Sequence, residues 1–303
     1  MMRLRQHILF FIFLTLVSTA CGKEPLPAVD SLVNDSPQKN LIPQYATIRW
    51  FQLSMLGIEP YTSSAQGMDI FNDRFLFQAG TGQNTIHIID LKTAQVPGSI
   101  DFIPPLGESS HMNNINCGAL FNDSDKYPLL YLSQTNSSHS CFVLRITNDA
   151  ESYELIQTIK YIGKEHYLNN SSFDWFIDLD KQYIYTYGHY NGDINTREII
   201  KFSLPPLDIP EVSFSDKDIL DSLVLENQSI YQGSKIIDGL LYCPVGYGNS
   251  QHPGRLIIID LDKKEIIKDL LIACGEPEAI AKLQKDAIIS SGGLSPFYYL
   301  LKL

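Results

Sequence analysis

Short apolar segments alternate with polar turns along most of the chain, from residue 46 to the end. Runs of about four to eight residues with alternating polarity, rich in Ile, Tyr and Phe, are typical of β-strands. We find no convincing run of the three- and four-residue apolar spacing that predicts a long helix. The clearest group of strands comprises Gln66–Ile70, Arg74–Gln78, Thr85–Leu91 and Val96–Phe102, with a turn at Asn72-Asp73.

A second group of four segments repeats this pattern later in the chain. Its members are Gln232–Ile236, Leu240–Cys243, Arg255–Leu261 and Glu265–Ile272, and the third segment of both groups contains Ile-Ile-Asp-Leu. Weaker copies open near residues 117, 174 and 277, so that successive openings lie 44 to 59 residues apart. A period near fifty residues built from about four short strands is the signature of a β-propeller.

We therefore predict an all-β fold, a β-propeller of about five four-stranded antiparallel blades. Six blades are an alternative if residues 203–230 contain another half-blade, and a two-sheet sandwich is the second alternative. The last unit has room for only three strands, whereas the apolar segment 48–55 has no local partner. Pairing residues 48–55 with residues 297–303 would complete this blade, close the ring and remove two exposed edges.

The first residues of the chain predict export. Arg3 and Arg5 precede the apolar stretch Ile8–Val17, and Ser18-Thr19-Ala20-Cys21 follows as a small-residue cleavage site. A cysteine directly after such a site predicts lipid modification at Cys21; the alternative is an ordinary secretory signal with an incidental cysteine. We expect a signal peptide over residues 1–20, a flexible lipid-anchored tether over residues 21–45 and a single propeller domain over residues 46–303.

Charge and cysteine content narrow the classes of partner. Without residues 1–20 the chain keeps 21 basic and 34 acidic residues, a net charge of −13, which argues against nucleic acid as a partner. Four further cysteines, at positions 117, 141, 243 and 274, lie in or beside apolar segments and are expected to be free buried thiols, with a Cys117–Cys141 disulfide as the alternative. No zinc-type spacing occurs, so we expect no metal and no cofactor.

Equivalent positions of the repeats should converge at one end of the central channel, because the innermost strand of every propeller blade begins there. The residues at these positions are Gln66, Asn116, Phe173, Asp174, Gln232, Glu276 and Glu278. Amides and carboxylates beside an aromatic ring suit a sugar or another small polar ligand. The alternative is that they only cap exposed backbone groups and bind water.

Several loop residues could add contacts to this site. The candidates are His111, Asn113, Asn114, His189, Tyr190 and His252, with Tyr247 near the last of them. The alternate residues Tyr183, Tyr185 and Tyr187 share one sheet face and are expected to pack. The sequence contains none of the nucleophile, zinc-protease, phosphate-loop or EF-hand motifs, so catalytic residues remain unassigned and a non-enzymatic role is favoured.

The lipobox-like start, the Asp/Asn-rich turns, Glu276-Pro277-Glu278 and the segment Cys141–Arg145 resemble the β-propeller lipoproteins that Bacteroidetes export. The resemblance implies an outer-membrane lipoprotein facing the periplasm or the cell surface, and it implies no particular activity. We expect a non-catalytic binding module for a glycan, a peptide or a membrane-protein partner. A polysaccharide lyase or hydrolase using His111 or His189, and a structural part of an outer-membrane complex, are the alternatives.

Overall fold

A computed structural model describes residues 44–45, 48–51, 65–80, 84–102, 112–134, 140–163, 174–190, 193–226, 232–292 and 297–302. All of them belong to one compact unit, Gln38–Leu303. The predicted signal peptide and Cys21, together with most of the tether, lie outside the described residues. Within the described part of the chain, no helix has the length and hydrophobicity needed to cross a membrane.

The described residues form β-strands and a single 3-10 turn, Asp216–Asp218. The strands are β1 (Gln44–Tyr45), β2 (Ile48–Phe51), β3 (Ala65–Phe71), β4 (Phe75–Gly80), β5 (Thr85–Asp90), β6 (Gln95–Asp101), β7 (Met112–Cys117), β8 (Leu129–Gln134), β9 (Ser140–Ile146), β10 (Tyr153–Tyr161), β11 (Asp174–Asp178), β12 (Tyr183–Tyr190), β13 (Asp193–Ser203), β14 (Glu211–Phe214), β15 (Asp221–Leu225), β16 (Lys235–Ile237), β17 (Leu240–Val245), β18 (Arg255–Asp260), β19 (Glu265–Leu271), β20 (Pro277–Leu283), β21 (Asp286–Ser291) and β22 (Phe297–Lys302).

These strands make five sheets, which follow one another along the chain as blades 1 to 5. From the inner strand outwards, blade 1 is β3-β4-β5-β6, blade 2 is β7-β8-β9-β10-β14, blade 3 is β11-β12-β13-β15, blade 4 is β16-β17-β18-β19-β1 and blade 5 is β20-β21-β22-β2. Most hairpin turns are short and several contain residues with positive φ, such as Asn72 and Asp73 in blade 1.

Five hydrophobic clusters lie between the blades, one at each interface. Strand β4 illustrates the alternation that produces them, because Phe75 and Phe77 face blade 2 whereas Leu76 faces blade 5. In the cluster that joins the last blade to the first, Met68 and Leu76 pack with Tyr298. A core between blade 5 and blade 1 requires a closed ring, so the fold is a five-bladed β-propeller and the two-sheet sandwich is excluded.

The predicted closure of the ring is confirmed. Strand β2 pairs antiparallel with β22, with Ile48 opposite Leu301 and Phe51 opposite Tyr298. Strand β2 ends at Phe51, and the remainder of the predicted segment, residues 52–55, lies outside the described residues, as does residue 303. The N-terminal strand therefore supplies the outermost strand of the last blade.

Two details differ from the sequence-based expectation of four antiparallel strands per blade. Residues 203–230 hold no half-blade among their described positions: β14 adds to blade 2 as a parallel fifth strand, and β15 is the outer strand of blade 3. Gln44 and Tyr45, which we expected to belong to the tether, pair in parallel with β19 as a fifth strand of blade 4. Isolated two- and four-residue strands at blade edges carry too little periodicity to be detected in the sequence.

Ring closure by β2 predicts a specific effect of truncation. In a chain that begins at residue 53, the free energy of unfolding should be about 2–4 kcal/mol lower than in the full chain. The reason is the loss of about 1 kcal/mol for each hydrogen bond of the β2–β22 pair. Of the described strands, a chain that begins at residue 46 loses only β1, and it serves as the control. Urea unfolding measures both; equal stability of the two truncated chains would contradict closure by β2.

Candidate functional site: the channel mouth

The innermost strands β3, β7, β11, β16 and β20 begin at one end of the central channel, which we call the channel mouth. Hydrogen bonds connect blades 2, 3 and 4 there. Asn113 Nδ2 donates to Asp174 Oδ2 over 2.6 Å, and the Tyr187 hydroxyl lies 2.7 Å from the same carboxylate oxygen. The Tyr187 hydroxyl also lies 2.8 Å from the backbone carbonyl oxygen of Gln232. A chain of polar contacts thus crosses two blade interfaces.

Blades 4, 5 and 1 continue this network. Gln232 Nε2 donates to Glu276 Oε1 over 3.1 Å, and the backbone N–H of Gly233 donates to the Glu278 carbonyl over 2.7 Å. The side chain of Glu278 is in turn hydrogen-bonded to Gln66 of blade 1. Every blade therefore contributes at least one polar residue to the channel mouth. Glu276 is partly exposed, whereas Gln66, Gln232 and Glu278 are buried.

Gly292, the residue after strand β21, lies beside both glutamates of this network. A Cβ atom at residue 292 would lie 2.4 Å from Glu278 Oε1, so a larger residue there would require the Glu278 carboxyl group to shift. The backbone N–H of Gly292 donates to the Glu276 carbonyl over 2.8 Å. Gly292 therefore leaves space for one glutamate and anchors the backbone of the other.

Burial makes the carboxyl group of Asp174 easier to protonate than an exposed one. Burial raises the pKa of Asp174 to about 6, although Tyr187, Asn113 and Arg197 each lower it. Tyr187 has one hydroxyl hydrogen but two acceptors, Asp174 Oδ2 and the Gln232 carbonyl. A protonated Asp174 can donate to the Tyr187 oxygen while Tyr187 donates to the Gln232 carbonyl. Protonation of Asp174 therefore provides one hydrogen for each of the two contacts. Asp174 Oδ1 has no hydrogen-bond partner among the described residues.

Glu276 and Glu278 form a carboxyl pair with unequal environments. Burial, with the adjacent charge of Glu276, raises the pKa of Glu278 to about 8, and the hydrogen bond with Gln66 only partly opposes this. Burial also raises the pKa of Glu276, against the effect of its bond from Gln232. At neutral pH the buried Glu278 therefore favours its protonated form and can donate a hydrogen bond, while Glu276 Oε1 accepts the amide of Gln232.

Below the mouth, polar side chains cross the channel. Lys235 of blade 4 forms an ion pair with Asp69 of blade 1, and Asp69 Oδ2 also accepts the backbone N–H of Cys117 over 2.5 Å. Asn114 Nδ2 donates to the carbonyl of Trp175 over 3.1 Å and to that of Ser234 over 2.8 Å. These bridges join blades 1 to 4 and provide the mouth with a polar floor.

The inner strands approach one another closely at this level. A Cβ atom at Gly67 would lie 2.6 Å from Asn114 Cα, and one at Gly233 would lie 2.7 Å from the Asn113 carbonyl oxygen. Backbones of blades 1, 2 and 4 therefore contact one another directly, which only glycine permits at these two positions. The second residue of the Gln-Gly openings in blades 1 and 4 thus serves close packing around the axis.

Five of the seven predicted rim residues, all except Asn116 and Phe173, lie at the channel mouth. The prediction for Asn116 is wrong: it lies one residue before the end of β7, and its Nδ2 donates to the Trp175 carbonyl over 3.1 Å. The small-residue segment after Asn116 resembled a repeat opening, but the strand begins at Met112 and places Asn113 at the mouth instead. Phe173 lies outside the described residues.

The predicted loop contacts have mixed outcomes. Asn113 and Asn114 are buried in strand β7 and belong to the network, and His252 is exposed on the loop between β17 and β18. His189 and Tyr190 lie within strand β12, not on a loop, and their side chains are outside the described set, as is the whole of residue 111.

Sequence reasoning missed Tyr187, which we expected only to pack. Its ring is buried against Phe176, as expected, but its hydroxyl reaches Asp174. The pairing of the two strands could have indicated this contact, because Tyr187 is the residue directly opposite Asp174 in the β11–β12 pair. Asp69 and Lys235 were missed as well, since an ion pair between residues 166 positions apart leaves no local pattern.

The cysteines of the propeller are free thiols, so a Cys117–Cys141 disulfide is not formed. Burial raises the pKa of Cys243 and of the half-buried Cys274 to about 12, which leaves both thiols protonated and unreactive. Among the residues described by the structure, no group of three His, Cys, Asp or Glu side chains could hold a metal ion.

No model of a protein family matches the sequence, and no curated protein matches it. Solved structures are similar in fold. A glutaminyl cyclase from Myxococcus xanthus has a TM-score of 0.51 at 11% identity, over 86% of this chain and 98% of that chain. A luciferin-regenerating enzyme has a TM-score of 0.49 at 12% identity, over 85% of this chain and 96% of that one. The tail fiber of Staphylococcus aureus phage P68 has a TM-score of 0.49 at 14% identity, over 82% of this chain and 53% of that chain. At these identities, the likeness to the cyclase supports the propeller fold alone.

The two buried carboxyl groups predict a pH dependence of stability. Raised folded-state pKa values mean that the folded protein binds more protons than the unfolded chain above pH 4, so stability falls as pH rises towards 8. We expect the thermal midpoint to decrease from pH 5 to pH 8. Asp174→Asn should flatten the part of this slope below pH 6 and Glu278→Gln the part up to pH 8, each by up to about 3 kcal/mol.

Asp180→Asn, at an exposed turn position, is the matched control and should leave the slope unchanged. Thermal unfolding at one-unit pH intervals, followed by circular dichroism, provides the measurement. A midpoint that rises between pH 5 and pH 8 in the unmodified protein, or an unaltered slope in both variants, would show that these carboxyl groups are ionised in the folded state.

Proposed function

We propose that this protein is an exported, lipid-anchored binding module whose channel mouth binds a neutral glycan. The observation that carries the proposal is the mixture of donors and acceptors at the mouth. Gln66 and Gln232 supply amides, the buried Glu278 supplies a proton donor, and the partly exposed Glu276 supplies carboxyl oxygens as acceptors. Sugar hydroxyl groups both donate and accept, so they match such a set better than a cation, which needs only acceptors.

The charge of the protein supports the same class of ligand. The full chain has a net charge of −11, and the carboxyl groups of Asp174 and Glu276 belong to the mouth network together with the proton-holding Glu278. Phosphorylated or otherwise anionic ligands would be repelled from this end of the channel. A neutral polar ligand has no such penalty, and its hydroxyl groups can replace water on Glu276.

The proposed anchor is the Cys21 thiol, acylated at the start of a tether that leads to the propeller. The basic, apolar and small-residue segments before Cys21 support this, and the resemblance to Bacteroidetes lipoproteins supports an outer-membrane location. A peptide or an outer-membrane protein is the alternative partner for a propeller held at a membrane. Such an anchor would restrict the mouth to ligands near the membrane surface.

Lipidation gives a direct prediction. Expressed in a Gram-negative host, the protein should incorporate radiolabelled palmitate and sediment with membranes, and Cys21→Ser should lose both properties. Cys274→Ser, at a half-buried cysteine within the propeller, should retain them. Palmitate incorporation that persists in Cys21→Ser, or none in the unmodified protein, would contradict the anchor.

The binding function is tested by titrating the full chain in detergent with neutral oligosaccharides of plant, host and microbial type. We expect saturable binding to at least one of them. Gln232→Ala and Glu276→Gln should weaken it by roughly ten- to a hundredfold, because a hydrogen bond to a charged group contributes about 1.5–3 kcal/mol. Gln95→Ala, at an exposed position on the outer strand of blade 1, should have no effect. Absence of saturable binding would contradict the proposal.

A second candidate function is hydrolysis or lysis of a polysaccharide at the same mouth. It is favoured by the placement of a buried carboxyl group beside a partly exposed one: burial raises the pKa of Glu278 to about 8, which suits a general acid, and the carboxyl group of Glu276 is its neighbour. Release of new reducing ends or unsaturated products, lost in Glu278→Gln, would replace the binding proposal with this one. Binding without turnover would exclude it.

A further inference from the structure

The loop between β17 and β18 projects from blade 4 on the side of the channel mouth. Residues 247–252 are all exposed, and Tyr247 has 48% of its surface accessible. Among the tyrosines whose side chains the structure describes, Tyr247 alone is exposed. The loop therefore presents an aromatic ring to solvent at the end of the molecule where the ligand would enter.

Backbone and side-chain hydrogen bonds hold this loop in one conformation. Tyr247 N–H donates to the His252 carbonyl over 2.9 Å, and Asn249 Oδ1 accepts the backbone N–H groups of Gln251 at 3.0 Å and of His252 at 2.8 Å. Gly246 and Gly248 flank Tyr247 with φ values of 96° and 68°, which favour glycine. Because the ring is displayed by an ordered loop, binding to it would cost little conformational entropy.

Two rings form a corner on the loop. The centroids of Tyr247 and His252 lie 5.7 Å apart and their planes are perpendicular, at 88°. The edge-to-face contact fixes the orientation of the tyrosine ring although half of its surface is open. A flat ligand could therefore stack on the exposed part of Tyr247 with His252 beside it.

The loop contacts the residues that lead into the mouth. A Cβ atom at Gly248 would lie 2.3 Å from the Gly275 carbonyl carbon and 2.7 Å from the Glu276 backbone nitrogen. The glycine that follows Tyr247 is thus packed directly against the backbone of Glu276, whose carboxylate accepts the amide of Gln232. The aromatic corner and the polar mouth are neighbouring surfaces.

We propose that Tyr247 and His252 form a stacking subsite for one pyranose ring of a neutral glycan, whose neighbouring unit reaches Glu276 and Gln232. The inference rests on the proposed glycan-binding function and adds the subsite that would recognise a second sugar unit. The axial C–H groups of a pyranose form an apolar face that suits an aromatic ring, while its hydroxyl groups at the rim of the ring stay hydrated or meet the mouth.

The test uses the full chain in detergent, titrated calorimetrically with neutral hexasaccharides: a β-1,4-glucan, an α-1,4-glucan, a mannan and a xylan. Tyr247→Ala should weaken binding of the recognised sugar by about three- to tenfold, the range given by aromatic contacts of roughly 0.5–1.5 kcal/mol. Tyr247→Phe keeps the ring and should bind like the unmodified protein. Phe121→Ala removes another exposed aromatic residue, located beyond the opposite end of β7, and should have no effect.

Each result of this titration supports or overturns the subsite. Weakening by Tyr247→Ala with binding retained in Tyr247→Phe supports it. Equal binding by Tyr247→Ala and the unmodified protein overturns the stacking subsite but leaves glycan binding at the mouth intact. Failure of every hexasaccharide to bind overturns both. Binding of a lysine-rich peptide that is lost in Tyr247→Ala, without sugar binding, would show that the corner recognises a cation and overturn the sugar assignment.

Discussion

The structure depends on the hydrogen bonds that the backbone groups of the five inner strands form where these strands meet around one axis. Between the inner edges of neighbouring blades, the described residues form one backbone bridge, from Gly233 of blade 4 to Glu278 and Ala279 of blade 5, and no longer ladder. Most carbonyl groups on these inner edges must therefore find other partners. Side chains provide them. The carbonyl of Trp175 accepts hydrogen bonds from Asn114 and Asn116 at 3.1 Å and from the Ser133 hydroxyl at 3.3 Å. Gln78 Nε2 likewise donates to the Gln66 carbonyl over 2.9 Å.

This requirement explains why the channel is polar although the blade interfaces are apolar. Asparagine and serine side chains close to the axis bond the backbone of neighbouring blades, whereas Ile115, the residue after Asn114, faces a core. Where the same side chains reach the end of the channel, at Asn113, Gln232 and Glu276, they form the proposed ligand site. The candidate site is therefore an extension of the hydrogen bonds that hold the ring together.

Carboxyl groups at such positions carry an energetic cost. Asp174 and Glu278 are buried with few charged partners, and burial raises the pKa of both carboxyl groups. An amide at either position would have a similar shape without an ionisable group, so a role in closing the ring does not by itself require a carboxyl group there. The hydroxyl group of Tyr187 also favours a protonated Asp174, because its single hydrogen must otherwise serve two acceptors, Asp174 Oδ2 and the Gln232 carbonyl.

The fold could be predicted from the sequence because its signal is repetitive. The shared Ile-Ile-Asp-Leu segments, the spacing of the Gln-Gly openings and the unpaired segment at residue 48 indicated five blades and their closure. The site was predicted less completely. Where a repeat opening is clear, as at Gln66 and Gln232, the rim residue was found. In blade 2, a segment that resembles a repeat opening lies three residues too late and led to Asn116 in place of Asn113. Tyr187, Asp69 and Lys235 depend on contacts across sheets, which a local pattern does not contain.

The most direct test of the central claim, that polar contacts across the axis join blades distant in sequence, is a double-mutant cycle on Asp69 and Lys235. These residues are 166 positions apart and belong to blades 1 and 4. Urea unfolding of Asp69→Ala, Lys235→Ala and the double variant yields their coupling free energy. We predict a coupling of about 1–3 kcal/mol, as for contacting buried residues. A coupling indistinguishable from zero would mean that the two blades do not meet across the channel.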